Sequence, residues 1–177
     1  MRKHLRFQAY GEAGAPPVAA LLPVVRPADS AELPDIVRES DGGTLVLADC
    51  RSGMDLQRMH VQLSVVEARL GMVEGTIRII ASAADSAVAV LGLPGYAGKS
   101  PRLAGLTWCR ADLAADLGCD PQSATLEHAR WQVVIAARAA GVPAYDCGPD
   151  MAESGNAWED FVLASRRLGF YGIATGR

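Results

Sequence analysis

This sequence predicts a parallel α/β fold, a sheet covered by helices, on three observations. Short apolar runs and helix-period segments alternate six times along the chain. The runs are continuous rather than alternating, as expected of strands buried on both faces. No internal repeat or low-complexity linker divides the 177 residues, so the layer rules give one domain of about six β/α units.

The elements follow in order. Residues 1–17 are polar, then rich in Gly, Ala and Pro, and read as an N-terminal arm ahead of a domain spanning 18–177. Ala20–Val25 is the first strand, followed by a helix over Ser30–Glu39 with Ser30 as N-cap. Asp41-Gly-Gly43 ends that helix, and Thr44–Asp49 is the second strand. In Ser52–Leu70, apolar residues at Leu56, Met59, Leu63, Val66 and Leu70 step by three or four, which gives a helix with one buried face. Gly71 stops it. Thr76–Ser82 is the third strand, with a helix through Asp85–Leu93 and a loop at Pro94–Gly98. Leu103–Trp108 is the fourth strand, leading to an acidic loop with a helical turn at Leu113–Leu117. An alanine-rich helix over 124–140, a strand at Val142–Tyr145, a helix at Ala157–Leu168 and a strand at Tyr171–Thr175 complete the chain.

Composition excludes several classes. At 50% hydrophobic and 21% charged residues the chain can bury a real core. A net charge of -3 with no basic cluster leaves no electrostatic footprint for nucleic acid. Every apolar run breaks well before the ~18 residues of a membrane span. The basic start Met1-Arg-Lys-His-Leu-Arg6 is not followed by a signal-peptide hydrophobic region. Four cysteines without CxxC spacing and three histidines without ligand spacing argue against a zinc site or disulfide framework. The expectation is a cytoplasmic protein with reduced thiols.

The order strand, loop, helix, strand, helix, strand over Leu103–Gly172 places Asp112 and Asp146 at strand C-terminal ends. In this it resembles the citrate lyase beta-subunit family of carbon–carbon lyases, the HpcH/HpaI aldolases. Thr44–Arg58 sits where that family has a strand ending in Pro-Lys, then Val-Glu-Ser and a helix; Ile77–Asp85 sits where it has a strand ending in Glu-Thr. The resemblance covers roughly residues 20–175. It implies a barrel-derived fold, about six β/α units of a TIM-type barrel with the first two strands missing and the site at the strand C-terminal ends. The tail Met1–Pro17 is too short and too polar to supply both missing strands.

By position, the family's metal-binding glutamate becomes Ala84, its metal-binding aspartate is kept as Asp112, and the Glu before it becomes Ala111. Its substrate-binding arginine aligns with Val24, with Arg26 two residues on. Its lysine becomes Ala48 or Asp49, and its Ile-His-Pro ending becomes Ala174-Thr-Gly176. The resemblance thus implies magnesium held by Asp112 and Asp85, with Arg26 and Asp146 as candidate catalytic residues. It also implies an acyl-CoA or small acid as possible ligand. The losses point to a non-catalytic chain that pairs with itself or a full-length paralogue, because an open six-stranded sheet exposes edges; an active magnesium-dependent lyase is the alternative.

Each candidate has a plainer reading. Asp112 also reads as N-cap of the following helical turn, Asp146 as a turn carboxylate in Asp-Cys-Gly-Pro149, and Asp85 as a residue favoured by a helix N-terminus. Cys109 and Cys147 both fall at strand ends, as a thiol pair or as buried inert thiols. Trp131 and Trp158 read as packing residues, Trp108 as filler of part of the old pocket, and His60 and His128 as surface residues.

Overall fold

The computed structural model describes residues 4–10, 19–27, 31–40, 43–148 and 156–176. Its strands are β1 (His4–Ala9), β2 (Ala19–Val25), β3 (Thr44–Leu47), β4 (Arg78–Ser82), β5 (Leu103–Thr107), β6 (Tyr145–Cys147) and β7 (Gly172–Gly176). The helices are α1 (Leu33–Glu39), α2 (Gly53–Leu70), α3 (Ala87–Gly92), α4 (Arg110–Leu117), α5 (Ala124–Ala139) and α6 (Asn156–Leu168), with a 3-10 turn at Leu93–Tyr96. The fold class agrees with the sequence reading: an α/β chain whose mostly parallel sheet forms a nearly closed barrel.

Strand order is β5-β4-β3-β2-β1-β7-β6. The two ends meet through a parallel bridge between Leu106 and Ala144, and the Leu106 amide donates to the Pro143 carbonyl at 3.0 Å. Exposed sheet edges, expected from six parallel strands, are therefore largely absent. The residues that remove them come from the supposed arm. β1 runs antiparallel to both β2 and β7 and pairs with each over five residues. The remainder of 1–17 lies outside the described residues, as do Ser30, Asp41 and Gly42.

Two apolar cores divide the strand side chains. The smaller joins Phe7, Val46, Ile80 and Ala174, with Leu22, Val24 and Tyr145 packed against them. All of these come from strands, so they fill the barrel. The larger core sets Leu45, Leu47, Ile79 and Ala81 against Leu56, Met59 and Leu63 of α2 and Val133 of α5. Burial of these runs drives the fold. α2 follows its predicted periodicity and ends at Gly71, whose φ of 70° satisfies the left-handed C-cap.

Two ion pairs tie elements together inside this packing. Arg102, 1% exposed, reaches Glu67 on α2, 0% exposed, with Nη1 at 2.7 Å and Nη2 at 2.6 Å. Glu67 also accepts from the Ile77 and Gly75 amides. Burial alone would raise this carboxyl, but the Arg102 guanidinium and the two amides hold it below its ordinary value. In the second pair Arg130 of α5 holds Asp146 of β6.

Candidate active site

The C-terminal ends of β3, β4 and β5 surround a cavity of about 280 Å³, lined by Asp49, Cys50, Arg51, Asp85, Ser86, Ala89, Asp112 and Asp116. Four carboxylates in one cavity are its defining feature. A second cavity, about 330 Å³, opens at the other end of the barrel between Phe7, Ala20, Thr44, Ala104 and Tyr145, and is apolar.

Asp85 lies in the bend between β4 and α3. Its Oδ1 accepts from the Ser82 hydroxyl at 2.7 Å and the Cys109 amide at 2.8 Å. Burial pushes this carboxyl up to about 6; the two hydrogen bonds oppose the shift, and the charges of Asp112 and Asp49 add to it. Asp85 does not cap α3: Ser86 does, accepting from the Ala89 amide at 3.3 Å. Asp85 stands one residue past the family's glutamate position, yet it lines the cavity: β4 ends at Ser82, so the alternation of a strand does not govern residue 85. Ala84, at the glutamate position itself, is 0% exposed in the larger core.

Asp112 is the third residue of α4, not its N-cap; Cys109 holds that position. Its carboxylate is exposed and meets no hydrogen-bond donor among the described residues. Asp116, one turn on, accepts from the Ala87 amide at 2.8 Å and so ties α4 to the start of α3. Asp49 follows β3 in a left-handed conformation, φ 52°, uncommon outside glycine. It pairs with Arg26 at 2.9 Å, and both side chains are about half exposed (55% and 45%).

The structure therefore brings Asp85 and Asp112 to one cavity, with Arg26 beside it through Asp49. Asp146 lies elsewhere. It is 0% exposed, accepts from the Trp108 indole at 2.9 Å, the Cys147 amide at 2.9 Å and the Arg130 guanidinium, and belongs to the packing between β6 and α5. Trp108 is in that same core rather than in the cavity. Cys109 and Cys147 do come together: the Cys109 thiol bonds to the Cys147 sulfur, which raises Cys109 and holds Cys147 below its ordinary value. His60 has a partner, Ser100 Oγ at 3.2 Å, and Trp131 is half exposed rather than packed. Asp49, Arg51 and Asp116 were not singled out by sequence for this site. Their one signal is position, directly after a strand or one helical turn beyond Asp112.

Among the described residues no three His, Cys, Asp or Glu side chains form a ready-made metal-ligand group. Two carboxylates with water completing the shell is nonetheless a donor set that magnesium accepts, since it dehydrates reluctantly and keeps several waters. Oδ1 of Asp85 is occupied by its two donors, while Oδ2 has no donor among the described residues.

The HpcH/HpaI aldolase/citrate lyase family model matches residues 19–170. Comparison with curated proteins gave no match. Among solved structures, RipC from Yersinia pestis is 26% identical with a TM-score of 0.62, over 83% of this chain and 66% of that one. An HpcH/HpaI aldolase/citrate lyase family protein from Burkholderia cenocepacia J2315 is 22% identical with a TM-score of 0.64, over 86% and 65%. The malate synthase of Haloferax volcanii, in its magnesium/glyoxylate complex, is 20% identical with a TM-score of 0.68, over 81% and 45%. The chain thus spans about two thirds or less of the length of these structures.

Proposed function

Because the chain belongs to the HpcH/HpaI aldolase/citrate lyase family, we propose that its acidic cavity holds a divalent cation between Asp85 and Asp112 and serves carbon–carbon lyase or aldolase chemistry on a small oxo-acid. The observation that carries this reading is the convergence of those two carboxylates, one in the bend after β4 and one in the first turn of α4 after β5, on one cavity at the strand C-terminal ends. Asp85 is held by Ser82 and Cys109, so its orientation is fixed before any ligand arrives. The charges of Asp112 and Asp49 oppose its ionisation, and a cation relieves that repulsion. When bound, such a cation supplies positive charge to a carbonyl oxygen as a neighbouring C–C bond breaks or forms. Arg51, in the same lining, offers a partner for a substrate carboxylate, and Arg26 restrains Asp49. The cavity's size, about 280 Å³, suits a small acid. The malate synthase relative, described with magnesium and glyoxylate, is consistent with that class.

Titration of the full chain with magnesium chloride by calorimetry, at neutral pH, tests the reading. Saturable binding is expected, weakened at least ~10-fold by Asp112→Asn (about 1.4 kcal/mol) and unaffected by Asp160→Asn, an exposed position on α6. A panel of small hydroxy- and oxo-acids with magnesium then tests turnover. Absence of heat with both magnesium and manganese overturns the cation site. One observation favours the second reading, a non-catalytic partner-binding chain: Ala84 leaves no glutamate at the family's ligand position. Its mark is no cation binding, together with a stable complex of two or more copies or with a longer relative.

A further inference from the structure

We infer that Cys109 and Cys147 are a reversible dithiol–disulfide pair, oxidised by hydroperoxides, that locks the seam of the barrel. The seam is where the sheet's two ends meet, and among the described residues a single parallel bridge, Leu106 to Ala144, joins β5 to β6. Counting three residues on from each bridge partner arrives at Cys109 and at Cys147. The two positions adjoin across the seam: the Arg110 amide, next to Cys109 at the start of α4, donates to the Cys147 sulfur at 3.4 Å. Both thiols are free and partly exposed, which gives a small oxidant access.

The other two cysteines are differently placed. Cys50 is 1% exposed, and burial pushes its thiol up to about 12. Cys119 accepts from the Ser123 hydroxyl at 3.4 Å, outside the seam.

The chemistry runs in two balanced steps. The Cys147 sulfur attacks the terminal oxygen of the hydroperoxide; the O–O bond breaks, the alcohol leaves with the thiol proton, and Cys147 becomes a sulfenic acid. The Cys109 sulfur then attacks that sulfur, the S–O bond breaks, and water leaves carrying the Cys109 proton. Two thiols lose two electrons in all, and one peroxide is reduced. The Arg110 amide in the first turn of α4, donating to the Cys147 sulfur, favours Cys147 as the first nucleophile.

The test uses the reduced full chain and a slight excess of tert-butyl hydroperoxide, followed by thiol titration and non-reducing peptide mapping. Two of the four thiols should disappear, with a Cys109–Cys147 cross-linked peptide, loss of two hydrogens in mass, a raised melting temperature and full reversal by dithiothreitol. Cys119→Ser should retain the link, and Cys109→Ser should stop at oxidised Cys147. Four unchanged thiols, a link through Cys119, or disulfides between chains would overturn the inference. Mapping of the unmutated chain decides it even where a variant does not fold.

Discussion

Asp85 has a carboxyl pulled two ways: two donors hold it in place, while burial and neighbouring carboxylates disfavour its charge. That conflict is measurable. Its folded value of about 6 exceeds the ordinary 3.8, so the fold prefers the protonated acid. Between pH ~4 and ~6 the unfolded chain has released a proton that the folded chain keeps, and stability from this group falls as pH rises through that window. Above it the penalty of the charged form is fully present. Asp85→Asn, whose amide oxygen can still accept from Ser82 and Cys109, should flatten the slope. It should also raise the melting temperature at pH 8, by roughly 2–4 °C for each kcal/mol relieved. Magnesium should raise the melting temperature of the unmutated chain at pH 8 and leave the variant unmoved. Melting curves from pH 4 to 8 check both; parallel curves for the two proteins would mean that Asp85 titrates normally. At this scale the sequence was partly legible. Asp85 and Asp112 were readable as acids after strands, whereas the burial of Asp146 was not, because its partner Arg130 is sixteen residues away on a helix.

Among the elements, α2 joins the starts of β4 and β5 through one buried ion pair. Glu67 and Arg102 leave solvent together, and each is nearly fully satisfied, although Arg102 Nε has no partner among the described residues. Removing one partner strands the other's charge in the core, which costs about 3–5 kcal/mol. Arg102→Met should lower stability by that amount in urea unfolding. Glu67→Gln on the same background should recover part of the loss, because the uncompensated carboxylate is gone. Additive losses would show that the two side chains act separately. The helix was legible from its apolar steps, and the pair's signal was present too: Glu67 falls four residues after Leu63, on the face the periodicity buries. β1 also left a signal. Leu5, Phe7 and Ala9 alternate with His4, Arg6 and Gln8, the period-two pattern of an antiparallel strand. The basic composition of the first six residues masked it, and nothing local shows that its partners are β2 and β7, the latter more than 160 positions away.

For the whole molecule, β1 determines whether the sheet closes. It supplies ladder partners to β2 on one side and β7 on the other, and Phe7 fills the barrel against Tyr145 with ring centroids 5.1 Å apart. The approach to β7 is close. A Cβ on Gly172 would lie 2.4 Å from the Gln8 carbonyl oxygen and 2.9 Å from the Ala9 Cα, so only glycine admits β1 at that register. Deleting residues 1–10 should leave β2 and β7 with unpaired backbone groups facing outward, the condition under which sheets pair between chains. Gly172→Val should part β1 from β7 with the chain otherwise whole. Both variants are expected to melt at lower temperature than the full chain and to show a higher, concentration-dependent mass in light scattering coupled to gel filtration. A deletion variant with the mass and melting temperature of the full chain would show that the parallel strands hold the barrel without β1. The seam between β5 and β6 would then carry the closure, and oxidation of Cys109 and Cys147 should stabilise that variant more than the full chain.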